Sequence, residues 1–443
     1  MGGRRALVRG AVKQSSMHPV GRPQQLVGLA PVEVAARLQH LSGLVFFDTA
    51  GNFPTSGARP ISVIAARPER ILKGSIFRVA DQQSLRTALA AGPRATGGDC
   101  GFPLGGLAGW IDYEGDFTFG DYREMLIFCH DDGTWWELGN LSEALAVQEV
   151  PPFQIGDFTA LTSRREFTGR VERIKQWIAA GDIYQVNLSQ RFGAKVAGGS
   201  LFALYEILRE ASPAPMAAYL ALAGREVLSS SPETFLKIAG RGIETRPIKG
   251  TRPRFPDADE DRRSAYELQT SAKEISELVM ITDLLRNDLG QVCEYGSVTV
   301  EEMLQLETLA QVHHLVSTVT GTLRDEVDAI SAIAACFPGG SITGAPKKRA
   351  MEIIEELEIS RRGLYCGAIG WLGFNGENSL SIAIRSLIRE GEELIYQTGA
   401  GIVADSDPEK EYEETLHKAQ GIQLTLARWR QTSCPPGKVL AAP

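Results

Sequence analysis

Thr234-Phe235-Leu236-Lys237-Ile238-Ala239-Gly240-Arg241-Gly242-Ile243-Glu244-Thr245-Arg246-Pro247-Ile248-Lys249-Gly250 reads as two strand-like runs, Thr234 to Ile238 and Ile243 to Ile248, around a turn at Gly240-Arg241. A hairpin makes the local sheet antiparallel. Its register sets Glu233 opposite Ile248 and makes Lys249 a diagonal neighbour, so an acid and a lysine share one end of the hairpin. Further strand-like text lies at Leu44 to Phe47, Gly105 to Tyr113, Tyr184 to Phe192, Tyr365 to Phe374, Leu380 to Ile388 and Leu394 to Gln397. In the strand from Tyr184, Val186, Leu188 and Phe192 share its face while Gln185, Asn187, Ser189 and Arg191 take the other. Helices are expected from Ser163, where Glu166 completes a capping box, to Gly181, over about residues 262–287, from Pro346, and from Asp407-Pro408 to about Trp429. Hairpin strands with separate long helices predict an α+β fold rather than a doubly wound one.

The chain has 443 residues, 43% of them hydrophobic, enough to bury a sizeable core. Its net charge of −8, from 46 basic and 54 acidic residues, gives no footprint for nucleic acid. No apolar run approaches the roughly 18 residues of a membrane helix. The cysteines at 100, 129, 293, 336, 366 and 434 form no CxxC pair, which argues against a zinc site or a disulfide framework and for a reducing compartment, the cytoplasm. Residues 1–25 and 431–443 read as loose tails, the first basic and free of acids; it lacks the apolar centre of a secretion signal, so an organellar address or an upstream start before Met17 stays open.

Several residues carry chemistry. A lysine beside a glycine is ordinarily a solvated turn residue, but Lys249 next to Glu233 is a candidate catalytic pair. Glu277 sits in the apolar run Ser276 to Asp288, where acids are unusual. Glu411, Glu414 and Lys418 fall at i, i+3 and i+7 on one helix face. Carboxylates from two helices suit a hard cation such as Mg2+, although solvated helix faces would look the same. Phe337-Pro338-Gly339-Gly340-Ser341-Ile342-Thr343-Gly344-Ala345-Pro346-Lys347 is a glycine-rich loop feeding a helix; Ala345 stands where a nucleotide loop needs lysine, which argues against ATP, while the free amides still suit a carboxylate. Arg385 ends an alternating strand and fits bidentate carboxylate recognition, or a surface position. His313 and His314 fit no metal spacing.

In order along the chain, these strings resemble the chorismate-utilising enzyme family, and within it the branch that forms 4-amino-4-deoxychorismate. The resemblance is dense from Thr159 to Leu426 and thinner back to about residue 40. It implies one large β/α sandwich, with a β-rich N-terminal portion over 26–150 and a chorismate-binding catalytic region over 159–427. It also implies that Glu277, Glu411 and Glu414 hold Mg2+, and that Arg385, Tyr396 and the amides near Gly399, Ala400 and Gly401 grip chorismate. Thr343, Gly344, His314 and Lys418 fall on family positions beside the substrate.

Lys249 is the discriminating residue, since the anthranilate-forming relatives carry alanine there. Gln185 stands where water-adding relatives carry a lysine base, and an amide cannot act as a base. The implied chemistry is a covalent Lys249 adduct with Glu233 as general acid. Gly98-Asp99-Cys100-Gly101-Phe102 falls one glycine short of a glutaminase nucleophile elbow, so the resemblance implies a separate glutamine amidotransferase subunit that supplies ammonia. Anthranilate formation is the rival within the family. A silent tryptophan-binding relative is the rival outside catalysis, because relatives bind tryptophan near the strand that here reads Phe46-Phe47-Asp48-Thr49-Ala50.

Overall fold

The computed structural model describes residues 20–50, 60–92, 101–309 and 312–433. Among these, ten α-helices accompany two large sheets, one of thirteen strands and one of ten, with antiparallel pairing throughout. The α+β expectation is met. The central strands of both sheets are buried on two faces, which explains the continuous apolar text of strands such as Gly106–Ile111 and Val45–Asp48. There Val45 and Phe47 point into the layer between the sheets, with Ala218, Trp110 and Ile369. Phe46 points the other way, onto helices Pro31–Leu38 and Phe202–Ala211. A fully enclosed ring such as Phe46 contributes about 3–5 kcal/mol by the cost of cutting it to alanine.

The two sequence portions are interleaved rather than stacked end to end. Val45–Asp48 pairs with Met216–Leu222, and Gly106–Ile111 pairs with Ala368–Gly373, so residues from before 150 complete both sheets.

Local signals explain most boundaries. Helix Arg164–Ala180 opens with the Ser163–Glu166 capping box and closes at Gly181, which is left-handed at φ 84°. The single helix expected over about 262–287 is two, Ala258–Thr270 and Ala272–Gly290. Ser271 turns extended between them, and its hydroxyl accepts from Glu274 N–H to cap the second. The last helix likewise divides into Pro408–Lys418 and Gln420–Ser433. Tyr184, expected on a core face, precedes its strand and is 72% exposed.

Two strand runs change sheets. Arg225–Ser231 lies in the larger sheet and Thr234–Ala239 in the smaller, with Pro232-Glu233 as the crossover. The run expected from Leu380 to Ile388 is likewise two strands, Glu377–Ile382 in the smaller sheet and Ser386–Glu390 in the larger. It turns at Arg385, a non-glycine residue at φ 51°.

Candidate functional site

The crossovers open into a cleft of about 1440 Å³. Glu233, Lys249, Glu277, His314, Arg385, Gly399, Gly401, Glu414 and Lys418 all line it.

Lys249 reaches it from strand Ile248–Pro253, which pairs with Val312–Thr322 rather than extending the hairpin. The hairpin register holds from Ala239↔Gly242 to Lys237↔Glu244. A bulge then pairs Thr234 with Arg246, so the expected opposition of Glu233 and Ile248 is one residue out. A second irregularity, at Gly250, follows Lys249. Gly250 sits at φ 72°, and a Cβ there would meet Leu268 at 2.6 Å and Glu274 at 3.1 Å, so this bend requires glycine. The bend leaves Lys249 Nζ 3.9 Å from Glu277 Oε2.

Glu233 is 6% exposed. Burial pushes its carboxyl up to about 7, against a hydrogen bond from the Ser341 hydroxyl and the charges of Lys249, Arg385 and Lys418. Near neutral pH it holds a proton it can donate. His314 is pushed down to about 4 by burial and by Arg385, so its imidazole is neutral. Its Nδ1 lies 3.3 Å from the Gly250 carbonyl oxygen and 3.0 Å from Thr251 Oγ1, while Nε2 is buried without a partner. An Nδ1–H donating to that carbonyl leaves Nε2 as a free acceptor. Arg385 has no ion-pair partner among the described residues, which frees its guanidinium for an anionic ligand.

The strand Glu393–Ile402 contributes by alternation. Gly399 and Gly401 face the cleft, where a Cβ on Gly399 would approach Asn187 Oδ1 at 2.6 Å and one on Gly401 would run into Gln185 Nε2. These glycines hollow the wall beside Lys249. Ala400 points into the opposite, apolar layer. Tyr396 departs from its expected place. It shares the even face of the strand, stacks on Phe192 at 4.7 Å and packs in the helix-covered core, so its side chain is not brought to the cleft. Thr343 and Gly344 lie behind the wall. The Thr343 hydroxyl donates to Gly339 and Gly340 carbonyls, and Gly344 abuts the Gln185 backbone.

Beside Lys249 the carboxylates gather on helices Ala272–Gly290 and Pro408–Lys418. Glu277 Oε1 and Glu411 Oε2 are buried with no hydrogen-bond partner. Burial raises both carboxyls, whereas in Glu414 it is outweighed by Lys418 at 2.8 Å together with Lys273 and Lys249. The Lys273 ammonium stands 3.9 Å from Glu277 and 3.9 Å from Glu411, a cation shared between the two helices. As these side chains stand, no trio of His, Cys, Asp or Glu among the described residues encloses one metal position. The donor set is nevertheless all carboxylate oxygen with two orphaned atoms, which fits a hard divalent ion.

Sequence reasoning missed Glu274, Lys273, Ser341, Tyr365 and Gln397, all but Lys273 on the cleft wall. Glu274 had a readable signal, standing three residues before Glu277 on the same helix face. A second cavity, about 900 Å³, is bordered by Phe47, Asp48, Met216, Lys237 and Trp371. There the Asp48 carboxylate is already taken by Arg209 at 2.7 Å and Tyr205 at 3.2 Å. Cys100 and its neighbours 98–99 lie outside the described residues.

Residues 53–423 match the family described as chorismate binding enzyme. The chain belongs to that family. It is 46% identical over 283 residues to aminodeoxychorismate synthase component 1 of Bacillus subtilis, covering 64% of this chain and 60% of that protein. It is 41% identical over 357 residues to anthranilate synthase component 1 of Methanothermobacter thermautotrophicus, covering 75% of this chain and 76% of the relative. The match thus spans about three fifths of the B. subtilis protein's length. Among solved structures, anthranilate synthase component I from Streptococcus pneumoniae superposes with a TM-score of 0.72 at 28% identity, over 84% of this chain and 94% of that one. The isochorismate synthase MenF from Escherichia coli superposes with a TM-score of 0.73 at 17% identity, covering 93% and 95%, a likeness of fold alone. Among the described residues no helix is long and apolar enough to cross a membrane.

Proposed function

We propose that this chain converts chorismate and ammonia to 4-amino-4-deoxychorismate, the step toward para-aminobenzoate and folate, through a covalent adduct on Lys249. The observation that carries this reading is the convergence of Lys249 with Glu233 in one cleft, an amine beside a buried acid whose proton affinity burial raises to about 7. The Lys249 amine bonds to C2 of the ring, the two ring double bonds shift, and the C4–O bond breaks. Glu233 protonates the departing hydroxyl, which leaves as water. Ammonia then bonds to C4, the double bonds return, and the C2–N bond to Lys249 breaks; the surplus proton on nitrogen restores Glu233.

Arg385 binds a substrate carboxylate, His314 Nε2 accepts from a substrate hydroxyl, and the hollow at Gly399 and Gly401 takes the ring. Glu277, Glu411 and Glu414, with Glu274 beside them, would hold Mg2+. When bound, that ion supplies positive charge against a substrate carboxylate. Gln185 leaves no base for activating water. Ammonia is supplied by a glutamine amidotransferase subunit, in keeping with the "component 1" in the relatives' names.

The test is product identification with purified chain, chorismate, Mg2+ and ammonium. 4-Amino-4-deoxychorismate is expected. Fluorescent anthranilate would instead favour the second reading, which the broader match to the M. thermautotrophicus relative supports.

A further inference from the structure

Arg362 makes no contact with the groups assigned to chemistry above, yet two bonds of its enclosed guanidinium run to Asn187 and Ile342, which border the cleft. Its side chain is 1% exposed. Nε and Nη2 donate to the Glu358 carboxylate at 2.9 and 2.8 Å, Nη1 donates to the Ile342 carbonyl at 2.9 Å, and Nη2 also donates to the Asn187 carbonyl at 2.9 Å. Glu358 in turn accepts from Ser189 N–H at 2.8 Å. The Arg362 carbonyl accepts from Gln397 Nε2 at 2.8 Å, and the guanidinium lies over the Tyr113 ring at 4.7 Å. The side chain thus ties strand Gln185–Gly198 to the turn Gly340–Ile342 behind the cleft, and the main chain of the same residue adds strand Glu393–Ile402.

The turn is the informative member. Its three residues follow Gly339 and begin at Gly340, have no side-chain cap, and carry Ser341, which lines the cleft together with Glu233 and bears on that carboxyl. Replacing a buried ion pair with apolar residues is often neutral or stabilising, so stability alone does not account for Arg362. We propose that Arg362 is a positioning residue, which by gripping the Ile342 carbonyl holds Ser341 on Glu233 and so tunes the proton affinity of that acid.

The surroundings of Glu233 fix the direction. Lys249 faces it from strand Ile248–Pro253, Arg385 from the second crossover, Lys418 from helix Pro408–Lys418, and the Cys366 thiol from beside Tyr365. The three cations and the Ser341 bond favour the carboxylate while burial opposes it. Losing the Ser341 bond therefore makes Glu233 hold its proton to higher pH.

This proposal relies on the chorismate-converting reading for its kinetic arm only. The carboxyl stretch of Glu233, isolated by infrared difference against Glu233→Gln, would be titrated in the full-length chain and in Ser341→Ala, Arg362→Lys, the double variant and Arg361→Met. Ser341→Ala and Arg362→Lys are expected to move the titration upward by as much as about one pH unit, a tenfold change in proton affinity. The double variant should move no further than Ser341→Ala, and Arg361→Met, an exposed neighbour, should not move it. The alkaline limb of chorismate consumption should shift with the titration. An unmoved titration in Arg362→Lys, or additive shifts in the double variant, would overturn the proposal. Should Arg362→Lys fail to fold, Glu358→Gln loosens the same grip and is judged by the same criterion. A chain that consumes no chorismate would sink the functional reading, and the infrared titration would still decide the role of Arg362.

Discussion

Glu233 and Arg385 stand on the two neighbouring crossovers by which strands leave one sheet for the other. Ile382 N–H donates to the Glu233 carbonyl at 3.0 Å, and Ser230 N–H donates to the Arg385 carbonyl at 3.1 Å, so the two turns are laced to each other by backbone. Acid and anion-binding arginine are therefore held in fixed relation by main chain rather than by flexible side chains.

Glu233 titrates near 7 in the fold against about 4.3 unfolded. A general acid must carry its proton, so turnover should fall as pH rises through about 7, and Glu233→Gln should abolish that limb along with most activity. The folded state binds the proton more tightly, so any stability it gives is present at low pH and lost as pH rises from about 4.3 to 7. Above 7 the ionised carboxylate should cost on the order of 3 kcal/mol, and Glu233→Gln should raise the midpoint of thermal unfolding at pH 8 but not at pH 4. Calorimetry at both pH values checks the sign.

Glu277, Glu411 and Glu414 should answer to one ion. Glu414→Gln should leave the circular dichroism spectrum unchanged and raise the Mg2+ concentration for half-maximal turnover by tenfold or more, on the order of 1.4 kcal/mol, or abolish turnover. An unchanged Mg2+ titration would remove Glu414 from the assignment.

Lys249 should be found modified. Enzyme quenched during turnover is expected to carry a chorismate-derived mass on the peptide containing Lys249, absent from Lys249→Ala, whose activity should be lost. A label on another peptide would refute the covalent route.

The nitrogen source is separable. The chain alone should use ammonium and not glutamine, and a glutaminase subunit should confer glutamine use. Cys100→Ala should change neither rate. Glutamine-dependent product from the chain alone, lost in that variant, would show that no partner is needed.

Gly401→Ala should place a methyl against Gln185 and near the Lys249 amine, where a Cβ would stand 3.7 Å from Nζ. The expected result is a raised KM for chorismate with the fold retained, read by steady-state kinetics. An unaltered KM would show that the hollow does not receive substrate.

Much of the site was readable because its members are unusual types for their surroundings: Glu277 in an apolar helix, Glu411 and Glu414 at helical spacing, Lys249 before a glycine. The misreadings have physical causes. A bulge is invisible to register arithmetic, so Glu233 was set opposite the wrong residue. Ser271 looked helical until its hydroxyl capped the next helix. Tyr396 falls on a substrate-side family position, while strand alternation packs its ring in the core. The run from Leu380 to Ile388 looked like one strand because both of its halves are buried, and only the left-handed turn at Arg385 divides it. Arg362 had no local signal, since its partners lie on distant segments or, for Glu358, four residues back along a non-helical loop.

The interleaving of the two sequence portions bears on what can be cut. A fragment over 159–427 would keep every residue assigned to chemistry, yet it would lack Val45–Asp48 and Gly106–Ile111. Met216–Leu222 and Ala368–Gly373 would then show bare amides and carbonyls along apolar margins, the kind of surface that recruits strands from other chains. Such a piece is expected to precipitate as intermolecular β-structure rather than persist as a smaller enzyme. The stretch that carries no chemistry is what keeps the reactive half from sticking to itself.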